Sequence, residues 1–228
     1  MQLSAVLLAR VLGYVEIFDL SPRGHIFFPE IVQEIAQRYD FQKFPKTLEE
    51  LDESKGVEFH EGRIGNKVIL KFVIWNTLLV VETRSNTDDS KQILEEILKW
   101  GAQTFGLNYK PGMIKHFAYV SNLTFYSDVP LLGAACSPLV ELATKTSEAL
   151  SEIWQEPVQY QPANLAVGHD PMARKYGIAP FSITHRAETK FSENKYFSEA
   201  PLPTDTHIAF LEEFEAGIKR LHEPQGHR

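Results

Sequence analysis

The stretch from Val57 to Arg84 constrains the fold more than any other part of the chain. Val57-Glu58-Phe59 and Arg63-Ile64 lead into a turn at Gly65-Asn66, followed by one run from Lys67 to Trp75 and another from Leu78 to Arg84. In the middle run Val68, Leu70, Phe72 and Ile74 share one parity, and Lys67 and Lys71 take the other. Asn76-Thr77 reads either as a turn or as a bulge in a longer strand. Val68, Leu70, Phe72, Ile74, Leu79 and Val81 all need cover, yet Ile69, Val73, Trp75, Leu78 and Val80 make the opposite face apolar too. Strands greasy on both sides imply helices on both faces or a partner chain on one.

The surrounding segments supply helices. Gly13 to Leu20 is rich in β-formers and reads as a strand, broken by Ser21-Pro22-Arg23-Gly24. From Pro29, Ile31, Val32, Ile35, Ala36 and Tyr39 recur at helical spacing. Residues 40–56 are polar and acidic and read as a connection with one short helix. Thr87-Asp88-Asp89-Ser90 offers capping oxygens and negative charge at a helix start, and Ile93, Leu94, Ile97, Leu98, Gly101 and Phe105 form its stripe up to Gly106. A strand follows from Ile114 to Tyr126. Ser137-Pro138 opens a helix carrying Leu139, Leu142, Ala143, Ala149, Leu150 and Ile153, which Pro157 stops. Pro157 to Pro180 reads as irregular with one short strand, Phe181 to Arg186 as a strand, and Phe191 to Pro203 as an ordered loop. A last helix from Thr204 places Ile208, Leu211, Phe214, Ile218 and Leu221 on one face.

The order β-α-β-β-β-α-β-α-β-β-α predicts an α+β fold, a mixed and mostly antiparallel sheet with about four helices. The expected organisation is one domain over residues 1–222 with a frayed tail at 223–228.

Composition narrows the function classes. The 228 residues are 43% apolar and 11% aromatic, enough for a sizeable core and too much for a disordered chain. The net charge of −7 is spread evenly, and the longest basic runs are Arg174-Lys175 and Lys219-Arg220, which disfavours nucleic acid as a partner. The first cation, Arg10, follows the first apolar run, the reverse of a secretory signal, and the run is far short of a membrane span. With a lone cysteine, Cys136, the expectation is a cytoplasmic protein without membrane contact.

No GxxxxGK[ST], GxGxxG, GxSxG or HExxH pattern occurs, so no cofactor is called for and any catalytic site is assembled from distant residues. Cys136, just before a helix start, is a candidate nucleophile with His116, His169 or His185 as base, set against a small core residue. His169, Asp170, His185 and Glu188 are candidate metal ligands, although none shows paired-ligand spacing. Glu82-Thr83-Arg84 at a strand end, with Glu30 and Glu34 on a helix, has a layout similar to metal-dependent nucleases of the restriction-endonuclease type. It departs from them in lacking an aspartate between Val57 and Thr87 and in placing Arg84 where they carry lysine. Trp75, Phe191, Tyr196 and Phe197 are candidate protein-contact anchors. The sequence therefore predicts a protein-interaction or self-assembly module without catalysis, a homo-oligomer associating through the apolar sheet or its edge. The alternative is a metal-dependent hydrolase or nuclease using scattered Glu and His residues.

Overall fold

The computed structural model describes residues 1–21, 28–170, 172 and 178–222; the expected frayed tail at 223–228 lies outside them. The strands are β1 (Gln2–Tyr14), β2 (Val57–Ile64), β3 (Lys67–Trp75), β4 (Leu78–Thr83), β5 (His116–Tyr126), β6 (Asn164–Val167), β7 (Phe181–His185) and β8 (Lys195–Ala200). The helices are α1 (Ile17–Leu20), α2 (Phe28–Arg38), α3 (Thr87–Phe105), α4 (Leu131–Ala135), α5 (Ser137–Trp154) and α6 (Thr204–His222). This is an α+β fold, with eight strands in the order β2-β3-β4-β1-β5-β8-β7-β6 and antiparallel pairing. Two compact units divide the chain: an amino unit of Val6–Ser121 with Pro201–Thr204, and a carboxy unit of Met1–Ala5, Asn122–Ala200 and Asp205–Arg228.

In the amino unit, Asn76-Thr77 is a two-residue turn, because Trp75 and Leu78 pair directly across it. Val57, Phe59, Phe72, Ile74, Leu79 and Val81 share one cluster with Ile31, Ile35, Ile93, Leu94 and Ile97, so α2 and α3 cover this side of the sheet. The expected alternation of β3 fails in its first half: Ile69 is fully buried and Val68 is exposed. The cause stands opposite. Glu61 takes a left-handed φ of 59°, and Gly62, paired with Ile69, faces Phe41 so closely that a Cβ there would lie 2.5 Å from the ring. The inward parity therefore switches between Ile69 and Phe72. On the other face His60, Lys71, Glu82 and Arg10 stand in one row across four strands, with Lys71 donating to Glu58 and Arg10 to Glu82.

Three further expectations are corrected. Gly13 to Leu20 is not a strand: β1 ends at Tyr14, and the amides of Val15 and Ile17 turn to the carbonyls of Thr77 and Asn76 before α1 begins. The cap of α3 is Asn86, whose side chain accepts from the Asp88 amide at 2.8 Å; Thr87 instead exchanges hydrogen bonds with Thr204. The segment within the expected loop at 191–203 contains β8, hidden in the sequence because its inward positions are Tyr196, Ser198 and Ala200 and two of those are small.

In the carboxy unit Leu123, Phe125, Ile183, Tyr196, Leu211 and Ile218 are buried. The Tyr196 ring packs 5.7 Å from that of Phe125. From α6, Glu215 is buried against β5's end, where it accepts from Ser127 Oγ at 2.6 Å and the Asp128 amide at 2.9 Å, and it pairs with the Met1 amine. Burial alone would raise this carboxyl, but those donors outweigh it and hold it below its ordinary value.

Candidate interaction surface

The 18 residues of α5 form an amphipathic helix, and not one of them is buried. Leu139, Leu142, Thr146, Ala149 and Ile153 recur at spacings of three and four, so they line one side of the helix as a seam. Glu141, Lys145, Glu148 and Glu152 stand along the adjoining flank, all exposed. Leu142 is 60% exposed, Ile153 72% and the neighbouring Trp154 65%, values opposite to those of a core-facing stripe. A side chain of this size gains roughly 1.5–3 kcal/mol from leaving water, and no contact among the described residues takes that gain here.

Local chemistry holds the helix in place. Cys136 is the N-cap, its carbonyl accepting from the amides of Leu139 and Val140, while Pro138 fits the first turn, where no amide partner is needed. Ser137 is thus inside the helix and not its cap. Beyond the left-handed Gln155 the chain returns along the helix. Ser147 Oγ accepts from the Tyr160 amide at 2.8 Å, and Ser151 Oγ from the Val158 amide at 2.9 Å. The serine row is thereby covered, and among the described residues the leucine–isoleucine seam is left open.

The residues singled out in the sequence are scattered. Glu82 is spoken for by Arg10 at 2.8 Å, and Arg84 and His116 are exposed. Cys136 is exposed at the start of α5. His169 Nδ1 lies 2.7 Å from the Asp170 carbonyl, and the Asp170 carboxylate accepts from the Met172 amide, so both serve the local turn. Glu188 is exposed with a left-handed φ of 62°. Among the described residues no three His, Cys, Asp or Glu side chains converge in a group able to hold a metal ion. His185, Phe191 and Tyr196 do come together: the His185 ring is 4.4 Å from Phe191 and 6.2 Å from Tyr196. Tyr196 is a core residue there, its phenol oxygen accepting from the Leu131 and Leu132 amides, and burial raises its pKa. Phe197 is half-buried, and Trp75 lies against Gly56, where a Cβ would fall 2.7 Å from the indole.

One buried Ser–His contact was not foreseen: Ser198 Oγ to His207 Nε2 at 2.8 Å. The hydroxyl proton goes to the Ser182 carbonyl at 2.7 Å, so the serine oxygen accepts from the imidazole. This polarity is the reverse of what a serine nucleophile requires, and both residues are fully buried. The pair therefore fastens α6 to β7 and β8.

The amino unit also holds a cavity of about 400 Å³. Ile35, Phe72, Ile74, Leu79 and Ile97 of the core cluster line it, and Glu16, Ser21, Glu53 and Asn76 form its polar side.

No helix among the described residues is long and apolar enough to cross a membrane. Compared with known proteins, the chain matches no described family and no curated sequence.

Proposed function

We propose that the protein is an interaction module that binds another protein surface through the open seam of α5. The observation that carries this reading is an 18-residue amphipathic helix of which no residue is buried. A contiguous apolar strip on the surface of a folded unit marks a site of association, and a helix presenting anchors three and four residues apart is a recurrent form of such a site.

The charge pattern selects the kind of partner. Interfacial helices that lie on membranes carry Lys and Arg on their polar side, whereas α5 carries Glu141, Glu148 and Glu152 against the single Lys145. The same acidity disfavours a phosphate backbone. A protein surface with apolar pockets and a cation placed to meet one of these glutamates fits the helix on both counts. A cytoplasmic setting accords with this reading.

The test uses the double variant Leu142→Glu/Ile153→Glu, followed by thermal and chemical denaturation. Because both side chains are exposed, the variant is expected to fold with stability within about 0.5 kcal/mol of the parent, while losing binding of an environment-sensitive apolar dye. A loss of several kcal/mol would show that the seam belongs to the fold's own core and would overturn the reading.

A further inference from the structure

We infer that the occupant of the α5 seam is the α5 seam of a second copy of this chain, packed antiparallel about a two-fold axis near Ser147 and Glu148. This inference rests on the reading of α5 as an interaction surface and goes on to name the partner.

The argument begins with spacing. Leu139, Leu142, Thr146, Ala149 and Ile153 follow the three-four repeat of a two-stranded helical seam, in which each knob enters a hole on the facing helix. A helix that presents a single such seam has two ways to meet its own copy: parallel or antiparallel. With an antiparallel axis near Ser147–Glu148, Leu142 meets Ile153 of the second copy, and Thr146 meets Ala149 of the second copy. The two-fold repeats both contacts. Large then faces large at the ends of the contact and small faces small at its centre, which lets the two backbones approach evenly.

Charge decides between the two directions. Lys145 is the single cation of α5, and among the described residues it has no ion-pair partner. It flanks the seam on the same edge as Glu152, one heptad further along. In the antiparallel register these two edges meet, and Lys145 faces Glu152 of the second copy twice, once from each side. In a parallel pair Lys145 would instead stand beside Leu150 of the second copy, and Glu152 would have no cation within reach. The polar edge therefore complements the apolar seam in one direction only. A two-fold pair is also the commonest way for a chain to associate with itself.

The native Cys136 provides the test, because it is exposed at the start of α5 and is the only cysteine. It lies between 11 and 12 residues from the axis, so two nitroxides attached there in the antiparallel pair stand roughly 35 Å apart along the helix direction at 1.5 Å per residue. Sedimentation velocity on the full chain is expected to show a monomer–dimer equilibrium, and dipolar spectroscopy a distance near that value. Lys145→Glu is expected to weaken the dimer by roughly tenfold, and Lys145→Glu/Glu152→Lys to restore it.

Each alternative result overturns the proposal. A short distance, with ready disulfide formation between the two Cys136 thiols, means a parallel pair. A dimer untouched by Lys145→Glu and Leu142→Glu means that association lies elsewhere. A chain that stays monomeric at every concentration means that the second copy is not the occupant. In that last case the dye and denaturation test above still stands or falls by itself, so the two failures are distinguishable.

Discussion

Helices α3 and α5 are nearly equal in length, 19 and 18 residues, and both carry an apolar stripe along a polar body. On α3 the stripe is consumed: Ile93, Leu94, Ile97, Leu98 and Gly101 are buried against the sheet, and Phe105 at its end is half-buried. On α5 nothing is buried. Their starts differ as well, for Asn86 caps α3 through its side chain and Cys136 gives α5 only its backbone. The pair shows that amphipathic patterning records where a helix has a face to hide, and leaves open whether the chain itself or another chain hides it.

The largest effect expected from this contrast is at Leu94, which is fully buried. Leu94→Ala should cost about 2–5 kcal/mol in chemical denaturation, several times the change expected for the α5 double variant. A loss below about 1 kcal/mol would erase the distinction between the two helices.

Next comes α6, which mixes the two behaviours by burying a charge. Glu215→Gln should cost about 1.5–3 kcal/mol at neutral pH, since the hydrogen bonds from Ser127 and Asp128 lose their ionic acceptor. The folded carboxyl is held below its ordinary value, so its contribution is complete above about pH 4.3 and fades as pH falls through the lowered value. Stability measured between neutral and acid pH should therefore slope less steeply in the variant. An unchanged slope would show that Glu215 does not govern acid sensitivity.

The smallest effect concerns the caps. Asn86→Ala should lower stability by about 1 kcal/mol, and Cys136→Asn should raise the helicity of α5 slightly, by supplying the side-chain acceptor that α3 already has. If circular dichroism and melting show neither change, the difference in capping is immaterial to the contrast.

Much of the amino unit was legible before any coordinates. The strands between Val57 and Thr83 announce themselves through period-two alternation and through turn residues at Gly65-Asn66, and α2 and α3 through helical spacing under Pro29 and ahead of Gly106. What alternation missed was the parity switch at Glu61, since a left-handed non-glycine residue leaves no compositional mark. Strand β8 went unread because Ser198 faces inward, where a hydrogen bond to His207 replaces apolar contact. Of the sheet surface that suggested itself as an association site, one face is taken up within the fold, for Phe72, Leu79 and Val81 lie in the core cluster with residues of α2 and α3. The α5 stripe was visible as a pattern, but its openness depends on what packs beside it, and that is settled only by tertiary structure. The Glu and His candidates were drawn from residue type and position along the chain, which do not show partners: Glu82 pairs with Arg10, and His169 and Asp170 bond within their own turn.

The hydrogen bonds from Tyr160 and Val158 to Ser147 and Ser151 have a kinetic consequence. They pin the helix against rolling about its long axis, so the seam is presented already oriented. A docking surface fixed in this way forfeits little freedom when it is engaged. In the proposed role, encounters would proceed at a rate set by diffusion and orientation, without waiting for a segment to order.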